Sequence, residues 1–236
     1  MVEPTAVRIL KLLETTSVRD RVYRLVQYAT KLVSWLLQRQ GVSKEFILKA
    51  RKLEQTLSLA RKLFRMGKSF DHLRVAMQTI HLKDPFQRFV ITLAKLSRFL
   101  FLLFDHLVWF GRLQLFWIDA QKWSYRSTRF WFMGIFFGLL RDFYDLFSAV
   151  RVEQSRLRHD STGAKKNLAT AVSRMIQNNP ALVLDTIKNS TDMFLPLSLF
   201  EVGKNISPGW VGLMGVVSTS CSLIAVWNEG LKLRYS

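Results

Sequence analysis

Over residues 43–67 the apolar and polar positions separate at helical pitch. Phe46, Ala50, Leu53, Leu57, Ala60 and Phe64 recur at intervals of 4, 3, 4, 3 and 4. At 3.6 residues per turn they form one apolar stripe. Lys44, Arg51, Arg61, Lys62 and Arg65 fall mostly on the opposite side, against only Glu45 and Glu54 as acids. Ser43 stands where a helix is capped and Gly67 where one ends. Such a helix can lie in a membrane interface, its stripe among acyl chains and its cations among anionic headgroups. A bundle helix with one solvated face carries the same pattern. Leu48, Leu59 and Leu63 sit off the stripe, which favours a helix that also touches a partner helix.

The rest of the chain is helical by the same reading, with no period-two run to build a sheet. A short helix over 5–14 is interrupted by Thr15, Thr16 and Ser17. A longer one over 18–38 turns Val22, Leu25, Val26, Ala29, Leu32, Val33 and Leu36 to one side and stops at Gly41. After a mixed helix over 69–80, Asp84 and Pro85 supply a cap and a first-turn proline. The helix over 86–110 is long enough to reach across a hydrocarbon core of about 30 Å. It carries Lys95, Arg98 and Asp105, each costing about 2.5–3.5 kcal/mol near a bilayer centre, so it spans only marginally.

A polar link over 111–122 leads to a helix over 123–152. Its uncharged centre, bounded by Arg129 and Arg141, is too short to cross and reads as interfacial. Gly134 and Gly138 make a small-xxx-small pair that lets another helix approach. Residues 153–166 are polar and read as a linker, ahead of helices over 166–177 and from Asn179 to about Phe194. Residues 205–228 hold no charged side chain, and Trp210 and Trp227 sit near the ends of a span over 206–228. Gly215, Ser218 and Ser222 belong to its small-residue face. The fold class is therefore an all-α membrane protein, with one clear and one marginal transmembrane span. Residues 1–84 form an N-terminal helical region, 85–152 a hydrophobic pair and 167–236 the C-terminal helices.

Composition sharpens the choice of partner. Apolar types make up 49% of the chain, with 18 Phe and 7 Trp, yet the net charge is +18. A basic chain seeks nucleic acid or anionic lipid. Long runs of Phe, Trp and Leu are foreign to nucleic-acid domains, so anionic membrane lipid is the expected partner and nucleic acid is not. The single cysteine, Cys221, leaves no intrachain disulfide and fits a reducing compartment. No apolar run over 1–14 reads as a secretory signal, and the ending is not a Ser-Lys-Leu address.

Catalytic chemistry is missing from the pattern. There is no Gly-rich strand-to-helix turn and no phosphate-binding G-x-x-x-x-G-K-[ST]. His72, His81, His106 and His159 lack metal-ligand spacing, and no cofactor or metal is expected. His106 beside Asp105 reads either as a helix-end pair at the headgroups or as a proton-handling pair.

Several blocks together resemble the peroxin-eleven family of peroxisomal membrane proteins. They are Arg19-Asp20-Arg21-Val22-Tyr23-Arg24 with Gln27-Tyr28; Leu53-Glu54; and Leu59-Ala60-Arg61-Lys62-Leu63-Phe64-Arg65-Met66-Gly67-Lys68. Lys122-Trp123 with Arg126, Arg141-Asp142 with Tyr144, Pro180-Ala181-Leu182-Val183-Leu184-Asp185 and Pro208-Gly209-Trp210-Val211-Gly212-Leu213 complete the series. The linker after Arg151 is short, where some vertebrate relatives carry a long Gly-rich insertion. The resemblance implies a non-enzymatic, multi-pass protein of the peroxisomal membrane with both termini cytosolic. It further implies homo-oligomers and cooperation with the dynamin-type fission machinery and its membrane adaptors in elongating and dividing peroxisomes. On this reading Phe46, Leu53, Leu57 and Phe64 insert, while Lys44, Arg51, Arg61, Lys62 and Arg65 hold headgroups. An oligomeric channel or metabolite carrier, with Arg98, Asp105 and His106 lining the pore, is the alternative.

Overall fold

The structure is a computed structural model that describes residues 5–41, 43–159 and 167–233. Among these residues there is no strand. The nine helices are α1 (Thr5–Glu14), α2 (Thr16–Arg39), α3 (Lys44–Phe64), α4 (Lys68–Thr79), α5 (Pro85–Arg112), α6 (Ala120–His159), α7 (Leu168–Asn178), α8 (Pro180–Leu197) and α9 (Pro208–Trp227). The helix ends follow local chemistry. Asp84 accepts from the Phe86 and Gln87 amides at 2.8 and 3.2 Å, and Pro85 opens α5. The Tyr144 hydroxyl donates to the same carboxylate at 2.8 Å and ties the start of α5 to α6. Ser43 precedes α3 without a side-chain cap bond, and Gly67 takes the left-handed turn (φ 83) between α3 and α4.

Three expectations shift. The link before α6 shortens to 113–119, because Asp119 accepts from the Gln121 and Lys122 amides and starts the helix earlier. Residues 153–159 of the expected linker continue α6. Glu153 and Leu157 in that stretch are buried; Glu153 accepts from Asn178 of α7 at 3.1 Å. Residues 160–166 lie outside the described residues. Finally, Pro196 falls inside α8, near enough to its end to interrupt only the last turn.

The helices pair as neighbours rather than as separate halves. α2 lies between α3 and α9, α5 runs along α6 and meets α4, and α8 packs on both α6 and α9. A small apolar cluster of Tyr28, Leu195 and Val211, with Trp131, Ile206 and Val216 against it, joins α2, α6, α8 and α9. The rest of the interior mixes buried apolar side chains, among them Val90, Ile91, Leu102, Val108 and Ile135, with an unusual number of polar ones. Gln27, Arg61, Asp105, Arg141, Asp142, Glu153, Asn189, Asp192, Ser218 and Thr219 are all buried, while many large apolar side chains face outward. That many buried polar and charged groups is more than a water-soluble bundle ordinarily carries. α9 alone among the described residues is long and apolar enough to cross a membrane. In α5, Asp105 is buried within the bundle, and Lys95 and Arg98 border interior cavities.

Candidate membrane interface and polar interior

α2 and α3 run antiparallel, and their seam is polar. Asp20, Arg24, Gln27 and Lys31 recur along one face of α2 at intervals of 4, 3 and 4. Asp20, Gln27 and Lys31 meet Glu54 and Arg61 of α3 and Lys68 at the start of α4. Lys31 reaches Glu54 at 2.9 Å, Arg61 donates to Gln27 at 2.7 Å and to Asp20 at 3.1 Å, and Lys68 lies 3.7 Å from Asp20. Asp105 of α5 receives Lys62 and, at 2.8 Å, Arg65. Arg65 also stands over the Phe101 ring.

The five cations expected at headgroups therefore divide. Lys44 and Arg51 are exposed, Arg51 donating to Gln38 at 3.0 Å. Arg61 is only 8% exposed, and burial followed by Arg65 holds its guanidinium down to about 10. Lys62 and Arg65 are turned inward as carboxylate partners. The physical reason is complementarity: Asp20, Gln27 and Asp105 offer acceptors that an interior charge needs. The spacing of Asp20, Arg24, Gln27 and Lys31 was the signal for this seam.

The apolar stripe divides too. Phe46 is 53% and Leu53 47% exposed, joined on the outside by Leu48, Leu63, Met66 and Phe70. Leu57 and Phe64 are half-buried, Phe64 stacking on Tyr23 at 5.3 Å between ring centres. α3 thus presents an apolar outer edge and a polar inner one.

The small-residue positions all lie at contacts within the chain. On α9, Gly209, Gly212 and Gly215 receive Trp35, Leu32 and Tyr28 of α2, with no room for a Cβ at any of the three. Ser218 donates to Asp192 of α8 and accepts from Arg24 at 3.0 Å; Ser222 is also buried. Gly134 faces Arg98 of α5, where a Cβ would stand 3.0 Å from its Cγ. Gly138 lies between Arg98 and Asn189 with ordinary room at 3.7 Å.

Beneath these contacts is a cavity of about 700 Å³ bordered by α2, α3, α4, α5, α6, α8 and α9. Arg98 and Asp105 line it; His106 instead places a ring nitrogen 3.3 Å from the Arg65 carbonyl oxygen. Among the described residues no group of three or more His, Cys, Asp or Glu is placed to hold a metal ion. The arrangement combines ion pairs inside the bundle with large apolar side chains on parts of its outside, as expected where lipid covers part of the surface.

Comparison with known proteins gives a consistent answer. The family described as Peroxisomal biogenesis factor 11 (PEX11) matches residues 6–227. The chain is 32% identical to peroxisomal membrane protein 11B of Homo sapiens, over 92% of this chain and 95% of that one. It is 29% identical to peroxisomal membrane protein 11A of Homo sapiens, over 93% and 95%. It is 25% identical to the peroxisomal membrane protein 11 homolog of Dictyostelium discoideum, over 94% of each. No solved structure matches.

Proposed function

The chain belongs to the peroxisomal biogenesis factor 11 family, and from that premise we propose that it remodels and elongates the peroxisomal membrane without catalysis, promoting division. The observation that carries the reading is the outer edge of α3: Phe46, Leu48, Leu53 and Leu63 stand exposed while the opposite face is ion-paired to α2 and α5. An apolar edge inserted into one leaflet enlarges that leaflet and favours curvature. Each large side chain fully buried there gains about 1.5–3 kcal/mol. The inner ion pairs mount this edge on the bundle, so its insertion strains the membrane and not the helix alone. Lys44 and Arg51 are placed to add headgroup attraction, about 1 kcal/mol each at an anionic surface. Homo-oligomers would gather many such edges on one tubule, where dynamin-type fission factors and their adaptors could act.

The test is tubulation of anionic liposomes by purified full-length protein. Replacing Phe46, Leu48, Leu53 and Leu63 by Ser should leave a folded protein that binds weakly and leaves vesicles round. A folded variant that still draws tubules would defeat the reading. The second reading, an oligomeric channel or carrier, draws on the internal cavity; solute flux through vesicles that stay round would favour it.

A further inference from the structure

The cavity between α2, α3, α4, α5, α6, α8 and α9 is not electrically balanced. Ten cations border it: Arg21, Arg24, Lys31, Arg61, Lys62, Arg65, Lys68, Arg98, Arg112 and Lys188. Five carboxylates do so, and each is already engaged. Asp20 serves Arg61 and Lys68, Glu54 serves Lys31, Asp105 serves Lys62 and Arg65, and Asp192 serves Arg24. Asp71 faces Arg74 on the outside at 3.8 Å. Among the described residues, Arg21, Arg98 and Arg112 have no carboxylate within ion-pair distance and no hydrogen bond.

Arg112 is exposed, but Arg21 and Arg98 are half-buried, with the Asp20 carboxylate the charge felt most strongly by Arg21. Half-buried guanidinium groups that lack a carboxylate partner leave their donors to water or to an anion. His72, bordering the same space, registers the excess. Burial and then Arg98, Lys95 and Lys68 press its imidazole from the ordinary 6.5 to about 3. The wall beyond the cations is of a different kind: Phe101 stacks on Trp131 at 5.6 Å, with Leu102, Ile135 and Val211 beside them. A volume of about 700 Å³ is far more than a bare ion needs and falls within the usual range for an organic ligand. Planar guanidinium forks suit the oxygens of a phosphate group.

We propose that this cavity binds a phosphate-bearing anion, its phosphate held by Arg21 and Arg98 with Lys68 and its organic part against Phe101 and Trp131. The phosphate can belong to a lipid headgroup entering from the bilayer or to a soluble phosphorylated solute. The inference goes beyond the remodelling reading and does not depend on it, since α3's outer edge takes no part.

The experiment uses full-length protein in a phosphate-free maltoside detergent. Inorganic pyrophosphate and a short-chain phosphatidic acid serve as probes in separate equilibrium-binding titrations. Saturable binding of pyrophosphate assigns a soluble phosphate; binding of phosphatidic acid alone assigns a headgroup. In either case Arg21→Gln and Arg98→Gln should each weaken binding about tenfold or more, consistent with losing a charge-assisted bond. Arg98→Lys, which keeps the charge and loses the fork, should weaken it less. Lys83→Gln, an exposed cation between α4 and α5 that does not line the cavity, should leave it unchanged. Because the Gln variants remove interior charges, a variant-free readout accompanies them: amide exchange in the wild-type protein should slow over residues 17–24 and 95–102 when the probe is bound. Failure of both probes to bind, binding indifferent to Arg21 and Arg98, or protection confined to other segments would each overturn the proposal. None of these outcomes bears on whether the α3 edge makes tubules.

Discussion

At the scale of single residues, glycines that look alike in sequence are held to different tolerances. Gly215 takes the Tyr28 ring directly, whereas a Cβ on Gly138 would meet its neighbours at 3.7 Å. Gly215→Ala should therefore destabilise the protein by about 1–3 kcal/mol, the usual cost of overpacking. Gly138→Ala should fall within about 0.5 kcal/mol of wild type, aided by better helix propensity. Thermal unfolding in detergent distinguishes them, and equal effects would place α9 elsewhere than against α2. His72 gives a second residue-scale test. Its folded pKa lies near 3, against an ordinary 6.5, so below 6.5 the unfolded chain takes up a proton that the native one refuses. Stability should then fall as pH drops through the window from 6.5 towards 3. Between pH 7 and pH 5 the loss is at most about 2 kcal/mol, reduced by the partial exposure of the ring. His72→Gln should flatten that slope; an unchanged slope would mean the imidazole is not held neutral.

At the scale of the element, α3 shows what a pattern of apolar positions reveals and what it hides. Its extent, its end at Gly67 and its two-faced character were legible, because periodicity and capping chemistry are local. The direction of its basic face was not. Arg61, Lys62 and Arg65 look like solvated cations until Asp20, Gln27 and Asp105, far away in sequence, come to lie beside them. The same blindness hid the end of α6, where Glu153 and Leu157 belong to a contact with α7 and not to a linker. This division of the cations makes a prediction. Asp105→Asn leaves Lys62 and Arg65 inside without a carboxylate and should cost about 3–5 kcal/mol, with faster amide exchange along α3. Lys44→Gln with Arg51→Gln should leave stability alone and weaken binding to anionic vesicles by about 1 kcal/mol per cation. Vesicle sedimentation beside a melting curve measures both. If the first pair of effects is absent and removing Arg61 lowers vesicle affinity instead, α3 does not sit on α2 and α5 in this way.

At the scale of the whole molecule, α9 has two surfaces with different duties. Its inner side is the socket for Trp35, Leu32 and Tyr28 of α2, and it carries Ser218 to the pair formed by Arg24 and Asp192. Its outer side shows Trp210, Leu213, Ile224 and Trp227. Deleting everything from Gly203 onward removes both, leaving Tyr28 without its cover and Arg24 and Asp192 open to solvent. The expected product is aggregated or misfolded, so its behaviour in alkaline extraction would say little about anchoring. Replacing Trp210, Leu213 and Ile224 by Gln separates the duties, because no position of the inner side changes and Trp227, over whose ring Arg8 of α1 stands, is kept. In detergent this variant should keep its helix content and melt close to wild type. In membranes it should become extractable by alkaline carbonate, since about 25 cal/mol is lost for each Å² of apolar surface no longer buried in lipid. A variant that is folded and still resists carbonate would show that the remaining outward apolar surface, with Phe89 of α5 and Phe143 and Phe147 of α6, holds the protein in the bilayer without α9.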